Sequence, residues 1–276
     1  MIIVIEKTSP FQEEVIAYPV ITTITNQPSD SYTKVFTLHN LESLSKDITD
    51  QQYKTLNIPH NSTDWFSSAL IPGRYRKFFS SIEEQGFKIG IGVATGNDKI
   101  FISDSFKNSI ESSLLIPIIT SKELRKNRFK ESNKCIINPF DKNGQLIDLA
   151  KYPKAKSYFL NNREELERRH VAKRNPAHWY KTIDKIKPEI THLPKILLPD
   201  ISGNTLLFID KGKYYPHHNL YFILGMELPS LKLLASILMS RFVLEQLYEI
   251  GNKMNGGYPR LQSQNLRILR IPILQN

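Results

Sequence analysis

Cysteine is nearly absent from this sequence, and its scarcity excludes two kinds of stabilising chemistry. The one cysteine, Cys135, cannot form a disulfide within the chain, and a zinc site made of cysteines is excluded as well. A chain without internal disulfides fits a reducing compartment, so we expect a cytoplasmic location. We expect Cys135 itself to pack in a strand beside Ile136 and Ile137.

Long hydrophobic runs are also missing. The apolar stretch at residues 1–5 meets charged residues at once and is too short for a signal peptide. The apolar segment that begins at Leu231 is interrupted by Lys232, Arg241 and Glu245, so it does not predict a membrane span. We therefore expect no membrane partner.

A glycine-rich nucleotide loop is not present either. Gly90 and Gly92 are followed by Gly96 one position later than the dinucleotide fingerprint requires, and no Gly-Lys-Ser/Thr ending follows. Apolar residues flank the turn-forming residues 95–98 on both sides. This pattern predicts a β-hairpin over residues 87–102.

Basic residues, by contrast, are in excess. The 276 residues include 37 Lys+Arg against 27 Asp+Glu, a formal net charge of +10, and the pI is near 9.5. Such an excess favours a polyanionic partner, because neutralising phosphates releases counterions. A hydrophobic share of 40% supports a real core, and the length allows one large domain or two modest ones.

Short β-branched and aromatic segments predict most of the secondary structure. Strands are predicted at residues 2–5, 15–25, 32–38, 114–119, 135–140, 195–202, 206–210 and 220–224. Helices are predicted at residues 77–85 and 163–169, and one long amphipathic helix at 231–250. The sequence thus predicts an α+β fold, a mixed and mostly antiparallel twisted sheet with a long C-terminal helix packed on it.

Two charged constellations suggest other chemistry. His217 and His218 are adjacent, and along a strand they would point to opposite faces, so we expect hydrogen-bonding histidines and no metal site. Asp200, Asp210 and Lys213 could hold Mg²⁺ and activate water as in a restriction nuclease. The Asp210-to-Lys213 spacing is one residue longer than that motif requires, but a Mg-dependent nuclease using Asp200 and Asp210 stays an alternative.

The order of these segments resembles a known family. The matching residues are 87–102, 115–124, 136–148, 158–169, Trp179-Tyr180, 195–202, 214–223, 233–237 and 256–266. Together they resemble the C-terminal target-recognition domain of adenine-N6 DNA methyltransferases of the TaqI-like and type IIG restriction–modification kind, over residues 60–274. Residues 1–35 resemble the terminal strands of the preceding methyltransferase domain, which places the recognition domain at residues 36–276.

One departure from that family matters for activity. Its Asn-Pro-Pro-aromatic tetrapeptide and its glycine-bearing S-adenosylmethionine motif are absent here, and Asn138-Pro139-Phe140 lacks the second proline. The resemblance therefore implies no catalytic residue and no cofactor in this chain, with S-adenosylmethionine bound in the parent enzyme. It also implies double-stranded DNA as a partner, and a methyltransferase catalytic domain or subunit as another.

The resemblance implies that loops and basic segments contact DNA. Side-chain chemistry and loop context then select two sets of residues. Phosphate contact is expected from Lys122, Arg125, Lys126, Arg128, Lys173 and Arg174, and base or groove contact from Thr95, Asn97, Tyr215, His217, Tyr258, Arg260 and Gln262. A second possibility is a separate specificity subunit that docks on a methylase through residues 1–40.

Overall fold

A computed structural model describes residues 1–5, 20–24, 32–38, 53–56, 71, 73–124, 129–199, 207–250 and 262–274. The strands are β1 (Ile2–Ile5), β2 (Val20–Thr22), β3 (Thr33–Leu38), β4 (Tyr53–Leu56), β5 (Phe79–Ser80), β6 (Lys88–Ile91), β7 (Ile102–Ser103), β8 (Leu115–Ile119), β9 (Cys135–Ile137), β10 (Lys195–Pro199), β11 (Phe208–Asp210), β12 (Tyr215–Pro216), β13 (Leu220–Leu224) and β14 (Ile271–Pro272). The α-helices are α1 (Asp98–Phe101), α2 (Pro153–Asn161), α3 (Arg163–Arg168), α4 (His170–Arg174), α5 (Glu189–His192), α6 (Leu228–Leu238), α7 (Arg241–Ile250) and α8 (Ser263–Ile268).

The chain divides into two compact units. The first comprises residues 1–85, 201–203 and 236–276, and the second comprises residues 86–200 and 204–235. The α+β class predicted from the sequence is confirmed, since both units combine helices with mixed or antiparallel sheets. None of the helices in the described ranges has the length and apolarity that crossing a membrane requires.

The first unit contains a four-stranded sheet in the order β2-β1-β3-β4. Strand β1 runs parallel to β3 and antiparallel to β2, and β4 is antiparallel to β3. Ile3, Phe36 and Leu38 form a buried cluster on this sheet. The strands predicted at residues 2–5 and 32–38 are therefore confirmed.

The helix predicted at residues 77–85 is wrong. Two 3₁₀ turns, Gly73–Phe78 and Glu83–Gln85, flank β5 instead. Strand β5 pairs with β14, which lies nearly 200 residues later in the chain, and this long-range pairing overrides the local helical pattern. Ser81 and Glu84 then satisfy each other, since each main-chain N–H donates to the other side chain.

The single helix predicted at residues 231–250 is in fact two helices. Helix α6 ends at Leu238 and α7 begins at Arg241. Ser240 separates them: its N–H donates to Ile237 O, and its hydroxyl accepts a hydrogen bond from Val243 N. A serine in this position caps the helix that follows it. Ser240 therefore starts a new helix, although the apolar periodicity of the sequence continues through it.

The second unit contains two four-stranded sheets. The first, in the order β11-β10-β13-β6, is antiparallel throughout, and every residue of its strand β10 is buried. The second has the order β12-β8-β9-β7, with β12 parallel to β8 and the other pairs antiparallel. Helices α2–α4 cover its core, to which Phe159, Leu166 and Trp179 contribute.

The hairpin predicted over residues 87–102 is wrong. Strand β6 pairs with β13 rather than with the segment that follows it, and residues 98–101 form helix α1. After β6 the chain runs beside the start of β13 and the end of β12, with Gly92 N donating to Leu220 O and Val93 N to Pro216 O. Gly92 permits this approach, because a Cβ there would lie 2.2 Å from His217 O.

Candidate nucleic-acid interface

Arg169 holds three separate segments of the second unit together. Its guanidinium donates to the main-chain oxygens of Thr95 at 2.9 Å, Trp179 at 2.7 Å and Lys181 at 2.9 Å. It also lies over the ring of Phe101, with 5.1 Å between the guanidinium carbon and the ring centroid. Burial lowers the pKa of Arg169 to about 10, because desolvation disfavours the charged form. Arg169 is thus a positioning residue for the loop at residues 94–98.

The loop that Arg169 holds carries a three-residue hydrogen-bond chain. Thr95 Oγ1 donates to Asp98 Oδ1 at 2.6 Å, and His217 Nε2 lies 2.8 Å from Asp98 Oδ2. The contact with His217, followed by the hydrogen bond from Thr95, lowers the pKa of Asp98 to about 2, although partial burial opposes the shift. Asp98 is therefore an ionised carboxylate at neutral pH.

The expectation that His217 and His218 point to opposite faces is wrong. Their ring centroids are 4.0 Å apart, and the planes are tilted by 52°. Strand alternation does not apply, because His217 forms only an isolated bridge with Val93 and His218 begins a turn. One ligand atom from each of Asp98, His217 and His218 lies within 4.8 Å of the others.

The turn after β8 lies beside this cluster. Strand β12 pairs with the last two residues of β8, and His217 N donates to Ile119 O. The turn is stabilised by Thr120, whose main-chain N–H and hydroxyl both donate to Glu123. Ser121 N and Ser121 Oγ both bond the side chain of Asn219. These contacts place exposed Lys122 in a turn that is tied to Asn219.

The structure divides the predicted DNA-contacting residues into three groups. Lys122, Lys173 and Arg174 are exposed, and Asn97 and Gln262 are partly exposed. Thr95, Tyr215 and His217 are buried, and the remaining five, Arg125, Lys126, Arg128, Tyr258 and Arg260, lie outside the described residues.

The side chains of the second group are buried, and the structure gives each of them a partner within the chain. The hydroxyl of Thr95 is used by Asp98, and the Tyr215 hydroxyl accepts a hydrogen bond from Lys187 N at 3.4 Å. His217 is 5% exposed and contacts Asp98. A base edge requires an accessible donor or acceptor. These three side chains therefore support the surface from beneath in this conformation.

The sequence reading missed the residues that organise this region. Asp98, Arg169 and Asn219 are the main ones, together with Asp184, whose carboxylate accepts from Ala94 N at 2.8 Å. Arg169 bonds Thr95, which lies 74 residues away in the chain, and Asp98 contacts His217, which lies 119 residues away. No local periodicity reports such contacts, although an arginine among hydrophobic neighbours is a weak signal for a buried guanidinium.

The structure gives Asp210 a structural role. Both carboxylate oxygens are used, since Oδ2 lies 2.7 Å from Lys195 Nζ and accepts from Tyr214 N, and Oδ1 accepts from Lys213 N. The side chain is 2% exposed. Lys213 Nζ pairs with Glu131 at 2.7 Å. Asp200 lies outside the described residues. A nuclease acid must offer oxygens to a metal, and Asp210 has none to spare.

Asn138-Pro139-Phe140 is likewise a structural element. Asn138 is buried, its Oδ1 accepts a hydrogen bond from Phe140 N at 3.1 Å, and its N–H donates to Leu114 O. This is a local side-chain turn of the kind that asparagine commonly forms.

Comparisons with known proteins identify the relatives of the chain. No family model matches it. It is 37% identical to the type II methyltransferase M.BstVI of Geobacillus stearothermophilus over 98% of the chain. It is 40% identical to M.XhoI of Xanthomonas vasicola over 74% of the chain, and 35% identical to M.PaeR7I of Pseudomonas aeruginosa over 96%. The chain spans 52%, 37% and 49% of these relatives' own lengths.

One solved structure shares the fold. The type IIL restriction–modification enzyme MmeI, in complex with DNA, matches 95% of this chain and 34% of its own, with a TM-score of 0.51 and 10% identity. The type IIG restriction endonuclease BpuSI matches 71% of this chain with a TM-score of 0.44. The homologues of this chain are thus type II methyltransferases of restriction–modification systems, and it aligns with about half of their length.

Proposed function

We propose that this chain is the DNA sequence recognition module of an adenine-specific restriction–modification methyltransferase. The observation that carries the proposal is the homology itself: nearly the whole chain aligns with about half of the type II methyltransferases M.BstVI and M.PaeR7I. The sequence of this half contains no Asn-Pro-Pro-aromatic tetrapeptide. The module therefore reads DNA, and a catalytic domain or subunit that binds S-adenosylmethionine supplies the methyl transfer.

The charge of the chain supports DNA as the partner. The formal net charge is +10, and exposed cations lie in the turn after β8 and in α4. Lys122 follows β8, while Lys173 and Arg174 occupy the last turn of α4. Phosphate contacts from such residues fix the position of a protein on the duplex, and base contacts from neighbouring loops provide specificity.

The division of labour follows from the chemistry of the target. The amino group of a stacked adenine is inaccessible to a methyl donor, so the catalytic half takes a flipped base. The recognition module grips the flanking duplex and reads base edges in the major groove. Asn97, Tyr258, Arg260 and Gln262 are the residues we propose for base or groove contact. Arg125, Lys126 and Arg128 join the exposed cations as proposed phosphate contacts.

The rigid loop at residues 94–98 suits this role. Asn97 is partly exposed at its tip, and Asn97 Nδ2 donates to Glu165 Oε2 at 3.2 Å. Thr95 and Ala94 are fixed from below by Arg169 and Asp184. A side chain that contacts bases from a pre-formed loop loses less conformational entropy on binding than one from a mobile loop.

Binding to duplex DNA at several salt concentrations tests the proposal. The expected result is a linear fall of log affinity with log salt concentration, with no methyl transfer by the chain alone in the presence of S-adenosylmethionine. Selection from a pool of random duplexes should enrich a defined sequence. Arg260→Ala should then weaken binding to that sequence by about 1–3 kcal/mol if Arg260 contacts a guanine in bidentate fashion. Salt-independent binding, or no binding, overturns the proposal.

The alternative is a separate specificity subunit that docks on a methylase. Such a subunit would contact DNA in the same way, but it would be a chain of its own. Co-expression with the methylase encoded beside it distinguishes the two arrangements. A stable complex between separate chains supports a subunit, and a single longer polypeptide supports an internal domain.

A further inference from the structure

The cluster at the base of the loop at residues 94–98 has an arrangement that DNA recognition does not require. We propose that Asp98, His217 and His218 bind a divalent transition-metal ion such as Zn²⁺. One ligand atom from each of the three side chains lies within 4.8 Å of the others. Two imidazoles and one carboxylate are a common set of three protein ligands for zinc.

The chemistry of the ligands selects the class of ion. Imidazole nitrogen suits Zn²⁺, Ni²⁺ and Cu²⁺, whereas Mg²⁺ and Ca²⁺ prefer shells made of oxygen. Asp98 is the one oxygen donor of the cluster. We therefore expect the site to discriminate strongly against Mg²⁺, which is the ion that a nuclease site would hold.

His217 provides an independent observation. Its side chain is 6% exposed, and within the described part of the chain its Nδ1 is a buried atom without a hydrogen-bond partner. Asp98 can only accept, so Nε2 carries the proton of the contact between them. In the neutral ring, Nδ1 then holds an unshared lone pair. A buried ring nitrogen in that state is unusual in a folded protein, so the hydrogen bonding of this ring is incomplete.

The main chain fixes the ligands before any ion binds. His217 N donates to Ile119 O, and His218 N donates to Val93 O, each at 3.0 Å. The Asp98 carboxylate is oriented by the Thr95 hydroxyl, which acts as the outer-shell hydrogen-bond donor that metal-binding carboxylates commonly have. Two segments therefore converge on one point without a large rearrangement, although Asp98 and His217 lie 119 residues apart in the chain.

Binding requires one small adjustment. His217 Nε2 and Asp98 Oδ2 are 2.8 Å apart, whereas two donors at zinc distances and a tetrahedral angle lie about 3.3 Å apart. If both atoms coordinate, they must separate by about 0.5 Å, which a small rotation of the exposed Asp98 side chain can supply.

A metal ion here would join the loop at residues 94–98 to the turn at residues 217–219. Since the loop at residues 94–98 carries Asn97, a residue proposed for DNA contact, the ion would hold that loop in one conformation. Three protein ligands also leave a coordination position open to solvent, because Asp98 and His218 are exposed.

The test is titration of the untagged 276-residue chain with Zn²⁺ by calorimetry, followed by thermal unfolding with and without the ion. We expect one ion per chain at this site and an unfolding temperature that rises with Zn²⁺ and not with Mg²⁺, because an ion that binds only the folded state stabilises it. His218→Ala should weaken the affinity by at least about tenfold and abolish the thermal shift, since it removes a ligand.

His192→Ala is the matched control, because His192 is also an exposed histidine of the second unit. It should bind Zn²⁺ as the unmutated chain does. Three results overturn the proposal: no Zn²⁺ binding by the unmutated chain, unchanged affinity in His218→Ala, or an equal loss in His192→Ala. Circular dichroism of His218→Ala confirms that the variant is folded, and Asp98→Ala provides a second ligand deletion. These readouts contain no DNA, so they are independent of the function proposed above.

Discussion

Arg169 Nη1 donates a hydrogen bond of 2.9 Å to the main-chain oxygen of Thr95, 74 residues earlier in the chain. The same guanidinium also donates to the main-chain oxygens of Trp179 and Lys181. One side chain therefore fixes the ends of two loops. Arginine suits this task because its planar fork presents several donors in fixed directions and stays protonated even when partly desolvated. The loop that carries Asn97 and Asp98 thus depends on a residue outside it.

Replacing Arg169 should therefore destabilise the second unit. Arg169→Lys keeps the charge but removes the fork, which leaves buried carbonyls without donors. We expect a loss of about 2–3 kcal/mol in the free energy of unfolding, measured by urea denaturation.

Arg168→Lys is the matched control for this change. Arg168 is exposed and pairs with Glu164 one helical turn away, and such pairs contribute about 0.5 kcal/mol or less. If both variants lost the same free energy of unfolding, the carbonyl contacts of Arg169 would contribute no more to stability than an exposed ion pair.

The exposed cations of α4 should affect the salt dependence of DNA binding. Lys173→Gln combined with Arg174→Gln should reduce the slope of log affinity against log salt by about two if both residues contact phosphate. Fluorescence anisotropy with a labelled duplex measures this slope. The loss should be similar for all DNA sequences, because phosphates carry no base identity.

Lys173→Arg combined with Arg174→Lys is the control, since it exchanges the side chains and keeps both charges. It should retain the original slope. An unchanged slope in the glutamine variant would remove this end of α4 from the DNA surface.

The sequence correctly predicted those strands that are determined by the residues of the strand itself. Strands β3, β8, β10 and β13 are rich in β-branched or other apolar residues, and each lies within or close to the predicted range. Sequence failed where a distant partner decided the outcome. Strand β5 forms because β14 pairs with it, and residues 87–102 are not a hairpin because β13 is the partner of β6.

The candidate site shows the same limit. Lys122, Lys173 and Arg174 are exposed, because a charge without a buried partner must remain solvated, and their contact with phosphate stays a prediction. Thr95 and His217 are also polar, and they are buried because Asp98 satisfies both of them. That pairing links positions 119 residues apart, and the spacing of His217 and His218 alone gave the wrong orientation.

Asp98 should make stability depend on pH in the acid range. Its pKa in the folded protein is about 2, below the ordinary value of 3.8, first because of the contact with His217. Since the folded pKa is the lower one, the carboxylate stabilises the fold above pH 3.8, and this contribution is lost as the pH falls toward 2. The advantage of the unmutated chain over Asp98→Asn, measured by urea denaturation, should shrink between pH 4 and pH 2.

Asp104→Asn, at an exposed aspartate, is the matched control for the change in net charge. His217 and His218 face Asp98 and are present in every variant. An advantage of the same size at pH 2 as at pH 4 would contradict the low pKa of Asp98.

The buried ion pair of Lys195 and Asp210 should show the cost of leaving one charge alone. Lys195→Met removes the cation and leaves the Asp210 carboxylate buried with two main-chain donors, so we expect a loss of about 3–5 kcal/mol in urea denaturation. Lys195→Met combined with Asp210→Asn should recover much of it, because no buried charge remains. Lys213→Met, which breaks an exposed pair with Glu131, should cause no measurable loss. A double variant less stable than Lys195→Met would refute this interpretation.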